Sequence, residues 1–133
     1  MGNLVFKEDF IPRDKDILYL YNDVGWSSYT KDIDTLMKSI ENSLKVITVW
    51  DKALLVALIR VVGDGHSIIY IQDILVLRKY QNKGIGKILV EIILDKYKNT
   101  RQKVLLTDKQ IRLFHFIKRL GSLCQKNLDV WHL

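Results

Sequence analysis

The chain has 133 residues, which is enough for one hydrophobic core and one domain, taken as residues 1–133, but not for two. Its hydrophobic share of 48% and charged share of 27% are ordinary for a soluble globular protein. No apolar run approaches the roughly 20 residues of a membrane helix, the N-terminus does not match a signal peptide, and Cys124 is the single cysteine. We therefore expect a cytoplasmic protein without an intrachain disulfide or a membrane partner.

The net charge of +6 is distributed unevenly along the chain. Residues 1–77 hold 8 basic and 11 acidic side chains, a balance of −3, whereas residues 78–133 hold 13 and 4, a balance of +9. The second half is therefore expected to attract an anion, and the first half is not. The sign of the charge does not by itself identify the ligand.

Two helices are predicted in the N-terminal part, after a first strand over residues 3–6. Asp14 or Asp16 could cap a short helix through residues 17–21. Apolar residues at helical spacing predict a second, core-facing helix that begins with Thr30 as its cap, and these residues are Ile33, Leu36, Met37, Ile40 and Leu44. The turn-rich loop between the helices holds two aromatic residues, Trp26 and Tyr29. They either pin the loop to the core or line a pocket for a small substrate.

Three consecutive strands are predicted next, over residues 46–50, 53–62 and 66–77, and they form an antiparallel meander. A helix that runs to about residue 97 leads to a short strand over residues 103–106. Because this helix connects one strand to the next by a crossover, those two strands must be locally parallel. A further amphipathic helix at about 109–120 and one last strand complete a mixed α/β domain.

The junction between the third strand of the meander and its following helix has the features of a phosphate-binding turn. Residues 78–87 carry four basic side chains and no acidic one. Gly84 and Gly86 open the helix, and glycines let the backbone approach an anion closely. The first amides of a helix have no internal acceptors and point toward such a ligand.

Three glycine motifs compete for this turn. A P-loop needs a serine or threonine after Gly86-Lys87, and Ile88 stands there instead. A dinucleotide-binding fingerprint needs a third glycine at position 89, which is leucine. The third motif is Gln/Arg-x-x-Gly-x-Gly/Ala, and Gln81-Asn82-Lys83-Gly84-Ile85-Gly86 matches it. This stretch resembles the acetyl-CoA signature of the GCN5-related N-acetyltransferase (GNAT) family, in particular its small bacterial members.

The resemblance extends over nearly the whole chain in element order and implies a GNAT-like fold. In that fold a mixed, mostly antiparallel central sheet of about six strands is flanked by about four helices. The resemblance also implies acetyl-CoA as co-substrate, with backbone amides of the turn holding the coenzyme A pyrophosphate and the strand before it pairing with the pantetheine arm. The implied cofactor-binding residues are Ile74, Leu75 and Val76 on the strand and Gln81, Asn82, Lys83, Gly84, Ile85, Gly86 and Lys87 in the turn.

Direct transfer of an acetyl group to an amine needs a base for the acceptor nitrogen and an acid for the leaving thiolate. Strand alternation places Tyr70 and Gln72 on one face and Asp73 on the other. Bases of the family often lie toward the start of this strand, which makes Tyr70 a catalytic candidate. Asp73, the strand's one carboxylate, either acts through water or serves as a buried partner for the neighbouring turn. Gln72 joins Trp26 and Tyr29 as a candidate contact for the acceptor.

The last predicted helix departs from the family pattern, in which a Phe-Tyr-x-x-x-Gly-Phe run supplies the tyrosine that protonates the thiolate. Ile117 stands at the tyrosine position, Ser122 replaces the final aromatic residue, and Leu113 stands where an asparagine often contacts the cofactor. Coenzyme A binding is therefore better supported than fast turnover. Loss of one acid costs on the order of 10²–10⁴ in rate without abolishing transfer.

The sequence thus predicts an acetyl-CoA-dependent N-acetyltransferase that acts on a primary amine of a small molecule or peptide, without a metal and as a monomer or homodimer. One alternative is a degenerate family member that binds coenzyme A with little activity. A distant alternative is a small basic nucleic-acid-binding domain, which we do not favour because the basic half lacks a recognisable motif.

Overall fold

The computed structural model describes residues 3–107 and 128–132, and it describes side-chain burial for residues 3–105. The helix predicted at 109–120 lies outside the described residues. The same holds for the positions singled out on and beyond that helix, namely Leu113, Ile117, Ser122 and Cys124.

Six strands and four α-helices are found among the described residues. In chain order they are β1 Leu4–Glu8, α1 Asp14–Asp23, α2 Ser27–Thr30, α3 Ile33–Glu41, β2 Lys45–Asp51, β3 Leu54–Gly63, β4 Ile68–Val76, α4 Ile85–Lys96, β5 Gln102–Thr107 and β6 Leu128–His132. One 3₁₀ turn, Arg78–Tyr80, lies between β4 and α4. None of the helices in this part of the chain is long and apolar enough to cross a membrane.

The strands form one mixed sheet in the order β1-β2-β3-β4-β5-β6. Strands β1 to β4 pair antiparallel, whereas β4 with β5 and β5 with β6 pair parallel. This topology confirms the predicted fold class, the antiparallel meander and the parallel crossover through α4. Because β4 and α4 are joined at the centre of the sheet, the glycine turn lies beside its middle rather than at an outer edge.

The core is formed where helices cover the central strands. Strand β3 is buried along most of its length, as expected for a strand whose two faces are both covered, and it contacts both α1 and α4. Strand β4 differs, because buried residues alternate with half-buried ones along it. One face of β4 therefore belongs to the core, and the other face keeps access to solvent.

Both predicted helix caps are wrong in detail. Helix α1 begins at Asp14 itself, with Arg13 at the N-cap position and no side-chain cap hydrogen bond. Helix α3 is capped by Asp32, whose Oδ1 accepts a hydrogen bond from the Thr35 backbone N–H at 3.1 Å. Thr30 cannot serve as that cap, because it ends the separate short helix α2 and its hydroxyl donates to Asn22 Oδ1 at 2.7 Å.

Candidate active site

Strand β4 loses its neighbour on one side halfway along its length. Strand β5 pairs with β4 only from Ile68 to Ile71, and then continues to Thr107 in contact with β6 alone. Within the described residues, no strand pairs with this side of β4 over residues 72–76. The backbone groups along that open edge can therefore accept an extended ligand as if it were an added strand.

A β-bulge lies where this open edge begins. Arg60 of β3 is opposite Asp73, whereas the next residue, Val61, is opposite Ile71. Gln72 is therefore the extra residue on β4. A bulge bends its strand, increases the local twist and re-aims the groups that follow it, and bulges are common beside active sites.

The turn after β4 is closed by hydrogen bonds and ends at the start of α4. The Gln81 side-chain amide donates to the Val76 carbonyl oxygen at 2.9 Å, which fixes the turn against the end of the strand. Asn82 and Gly84 have φ values of +64° and +85°, in the left-handed region that favours glycine. Gly84 is the N-cap residue of α4 and provides no side-chain cap, so the first backbone amides of the helix remain available to an anion.

The turn carries a concentrated positive charge. Arg78, Lys79, Lys83 and Lys87 are all exposed, and residues 78–87 contain no carboxylate. Lys83 Nζ lies 5.6 Å from the ring centroid of Tyr80. The Tyr80 hydroxyl donates to Asp51 Oδ2 at 2.6 Å, and this hydrogen bond raises the pKa of Tyr80. The ring beneath Lys83 therefore stays in its neutral form.

The loop with the two predicted acceptor contacts packs against helix α1. Trp26 is half-buried, and Tyr29 is 42% exposed. The Tyr21 ring lies edge-on to both, with centroid distances of 6.0 Å to Trp26 and 6.1 Å to Tyr29. Both aromatic residues thus pin the loop to the core through Tyr21, and both retain accessible surface on the outer side.

This aromatic loop is also joined to the basic turn. Asp23 Oδ2 accepts a hydrogen bond from the Arg78 backbone N–H at 2.8 Å. A Cβ atom at Gly25 would lie 3.7 Å from the Arg78 guanidinium group. The loop that holds Trp26 and Tyr29 is therefore attached to the start of the basic turn, although 55 positions separate Asp23 from Arg78 in the sequence.

A buried polar cluster lies on the core face of β4. Asp73 is 2% exposed, and its Oδ2 accepts hydrogen bonds from Arg60 Nε at 2.8 Å and from the Tyr21 hydroxyl at 2.9 Å. Arg60 also donates to Ser43 Oγ at 3.4 Å, and Asp73 Oδ1 has no hydrogen-bond partner among the described residues. Burial and the neighbouring Asp73 carboxylate raise the pKa of Tyr21 well above its usual value.

The cluster changes the interpretation of Asp73 and adds two residues that the sequence did not indicate. Asp73 is buried, as one of its two predicted roles required, but its partners are Arg60 and Tyr21 rather than the neighbouring turn. Arg60 and Asp73 are each the only charged residue in their predicted strands, and this was the one available signal for a cross-strand ion pair. Tyr21 gave no such signal.

The remaining candidates on β4, except for Leu75, lie on the opposite face. Tyr70 and Gln72 are half-buried, and Ile74 and Val76 continue the same row. Leu75 is 2% exposed, so only its backbone can meet a ligand at the open edge. In the part of the chain that the structure describes, no group of three or more histidine, cysteine, aspartate or glutamate side chains could hold a metal ion.

The fold is that of an α/β acetyltransferase domain, and comparison with known proteins specifies the family. Residues 13–121 match the family model described as the acetyltransferase (GNAT) family. This match covers most of the chain, so the protein belongs to the GNAT family. No curated protein matches the chain.

Solved structures agree with this assignment. A GNAT family acetyltransferase from Streptococcus pneumoniae TIGR4 is 33% identical, with a TM-score of 0.75, over 90% of this chain and 86% of that one. A protein of unknown function from meticillin-resistant Staphylococcus aureus, described as a probable acetyltransferase, is 27% identical, with a TM-score of 0.76, over 90% and 89%. AAC(6')-Iy, in complex with the bisubstrate analogue CoA-S-monomethyl-acetylneamine, shares the fold at 11% identity and a TM-score of 0.69, over 92% and 90%.

Proposed function

We propose that this protein is an acetyl-CoA-dependent N-acetyltransferase that transfers an acetyl group directly to a primary amine of a small molecule or peptide. The observation that carries the proposal is the open edge of β4 over residues 72–76, which leads directly into the basic turn and the N-terminus of α4. An extended arm with a phosphate group at one end fits that succession of backbone groups and amides.

The cofactor would be held mainly by the main chain. Backbone amides from Asn82 to Lys87 would bind the pyrophosphate, with Gly84, Ile85 and Gly86 at the helix N-terminus. Gln81 would act indirectly, since its side chain closes the turn on Val76. Exposed lysines such as Lys83 and Lys87 would add positive charge around the phosphates. The main chain of Ile74, Leu75 and Val76 would pair with the pantetheine arm.

The reaction forms a bond from the amine nitrogen to the thioester carbonyl carbon and breaks the bond from that carbon to sulfur. A backbone amide near Ile74 would donate a hydrogen bond to the carbonyl oxygen as negative charge develops on it. Tyr70 lies on the more exposed face of β4 and is our candidate for accepting the amine proton. Asp73 is buried beneath that face, so it could influence the proton only through Tyr21 or water. The proton that the amine gives up would pass from Tyr70, through water, to the thiolate, so that coenzyme A leaves as its free thiol.

The acceptor would lie against Trp26, Tyr29 and Gln72. The loop that carries the two aromatic rings is joined to the basic turn by the Asp23–Arg78 hydrogen bond. The first half of the chain carries a balance of −3, which favours a cationic acceptor. The AAC(6')-Iy analogue joins CoA to an aminoglycoside-derived amine, which makes small polyamines a suitable first class to assay.

The proposal is tested in two measurements on the wild-type protein. Calorimetry should detect acetyl-CoA binding, and the absence of heat at about 1 mM cofactor would refute the proposed function. Release of free thiol should then be followed with a panel of lysine, spermidine, phenethylamine, neamine and a short peptide. Binding of coenzyme A without thiol release from any amine would instead favour a degenerate family member with little activity. The presence of Ile117 in place of the usual tyrosine acid would explain that outcome.

Replacing Trp26 with alanine is expected to raise the KM for the best acceptor of that panel about tenfold, because the indole is the larger of the two aromatic rings proposed to contact the acceptor. The dissociation constant for coenzyme A should stay within about twofold of the wild-type value. Steady-state kinetics and calorimetry provide the two measurements.

Phe10→Ala is the matched control for this change. Phe10 is 48% exposed and packs edge-on against Trp50 rather than against the loop. Its replacement should leave the acceptor KM unchanged. An equal rise of the acceptor KM in both variants would show that Trp26 does not contact the acceptor.

A further inference from the structure

One buried side chain touches both halves of the proposed active site. The ring of Tyr21 supports Trp26 and Tyr29 of the aromatic loop, and its hydroxyl donates to Asp73 on β4. Tyr21 is fully buried, with 0% of its surface exposed. It therefore cannot contact a substrate and can act only through the groups that it holds.

The hydrogen bond from Tyr21 is accepted by a residue of β4 that lies beside the β-bulge. Asp73 lies directly opposite Arg60 and next to Gln72, the extra residue of the bulge. Along a strand, successive backbone amides point to opposite sides. The position of the bulge therefore decides which amides after Gln72 face β3 and which face the open edge. The Arg60–Asp73 pair, 2.8 Å long and on the core face, holds that register.

We propose that Tyr21 is a positioning residue for acetyl transfer, and that it aligns the acceptor loop with the bulged strand. This inference rests on the proposed function. Its hydroxyl shares Asp73 Oδ2 with Arg60 and so fixes the carboxylate in one orientation beside the bulge. Its ring sets the place of Trp26 relative to the same strand. The distance between the bound amine and the thioester carbonyl then depends on one tyrosine, and reaction rates fall steeply with small errors in that distance.

The chemistry of Tyr21 is suited to a fixed donor. Burial, assisted by the Asp73 carboxylate, raises the pKa of its phenol, so the hydroxyl keeps its proton at neutral pH. Phenylalanine has nearly the same shape and cannot donate. Tyr21→Phe therefore removes the hydrogen bond and leaves the ring contacts with Trp26 and Tyr29 in place.

The test compares Tyr21→Phe with Tyr97→Phe, which removes a phenol hydroxyl at the far end of α4. In Tyr21→Phe we expect kcat with the best acceptor of the amine panel to fall about tenfold, while KM for acetyl-CoA and the dissociation constant for coenzyme A stay within about twofold. Tyr97→Phe should change none of them. Circular dichroism and thermal melting give the folded fraction of each variant, so that kcat is expressed per folded molecule.

A double substitution shows whether Tyr21 acts through Asp73. If it does, adding Tyr21→Phe to Asp73→Leu should lower kcat by no more than about twofold further, because the acceptor of the Tyr21 hydroxyl is already lost. The proposal would be overturned if the kcat losses of the two single substitutions multiplied in the double variant. It would also be overturned if kcat of Tyr21→Phe equalled that of Tyr97→Phe. If Asp73→Leu does not fold, the kcat and KM comparison of the two phenylalanine variants decides alone. A wild-type protein that transfers no acetyl group would overturn the proposed function. An active wild-type protein with an equally active Tyr21→Phe variant would overturn only the role of Tyr21.

Discussion

Replacing Asp73 with alanine is expected to lower the free energy of unfolding by about 3 to 5 kcal/mol, because the Arg60 guanidinium group would stay buried without its anion. Arg60 is 8% exposed, and its other hydrogen bond among the described residues is a 3.4 Å contact with the neutral Ser43 hydroxyl. The Tyr21 hydroxyl would lose its acceptor in the same step. Urea denaturation followed by circular dichroism measures the change, with the slope of the transition unchanged if unfolding stays two-state.

Two further variants show that burial, and not the salt bridge as such, sets this cost. Glu8→Ala breaks the pair of Glu8 with Lys96, which is also 2.8 Å long but lies at the surface, and it should cost less than about 1 kcal/mol. The triple variant Tyr21→Phe, Arg60→Met and Asp73→Leu removes every polar member of the cluster on α1, β3 and β4, and it should recover most of the loss. A cost for Asp73→Ala as small as that for Glu8→Ala would contradict the buried pair.

The parts of the fold that follow from local patterns were predictable from the sequence. Runs of β-branched residues gave β2, β3 and β4 to within two residues at most ends. The parallel pairing of β4 and β5 followed from the helix between them, since a strand, a helix and a strand can return to the same sheet only in that way. The turn before α4 was found for a similar reason, because its glycines and lysines lie within ten consecutive positions.

The cluster around Asp73 depends on register, which local patterns do not contain. A tight turn over Gly63-Asp64-Gly65 would place Arg60 opposite Ile68. The observed turn is longer, because Asp64 Oδ1 accepts hydrogen bonds from the backbone amides of residues 66 to 68, and with the bulge this brings Arg60 opposite Asp73. The Tyr21 contact joins residues 52 positions apart, so only the packing of α1 on the sheet could reveal it. The residues of the proposed cofactor site are thus close together in the sequence, whereas the residues that support it are far apart.

Gly84→Ala is expected to weaken coenzyme A binding on the order of 10- to 100-fold, the effect of losing one charge-assisted hydrogen bond to phosphate. Gly84 has a φ of +85°, and alanine there costs about 1 to 2 kcal/mol of backbone energy. Relief of that strain would rotate the amides at the start of α4. Apart from its neighbours in the chain and the backbone of its own helix, no heavy atom of the described residues lies within 4 Å of the new Cβ, so the methyl group would project into open space. Calorimetry with coenzyme A measures the loss.

Gly65→Ala separates this local effect from a general loss of stability. Gly65 has a φ of +80°, nearly that of Gly84, and the nearest atoms to its added Cβ would be those of the Leu44 and Tyr97 side chains, at 3.4 Å or more. Both variants should therefore lose a similar amount of unfolding free energy, whereas only Gly84→Ala should lose affinity. If the two bound coenzyme A equally well, the helix N-terminus would not be the phosphate site. If only Gly84→Ala failed, the backbone of the turn rather than its lysines would determine where the pyrophosphate lies, since neither substitution alters a charge.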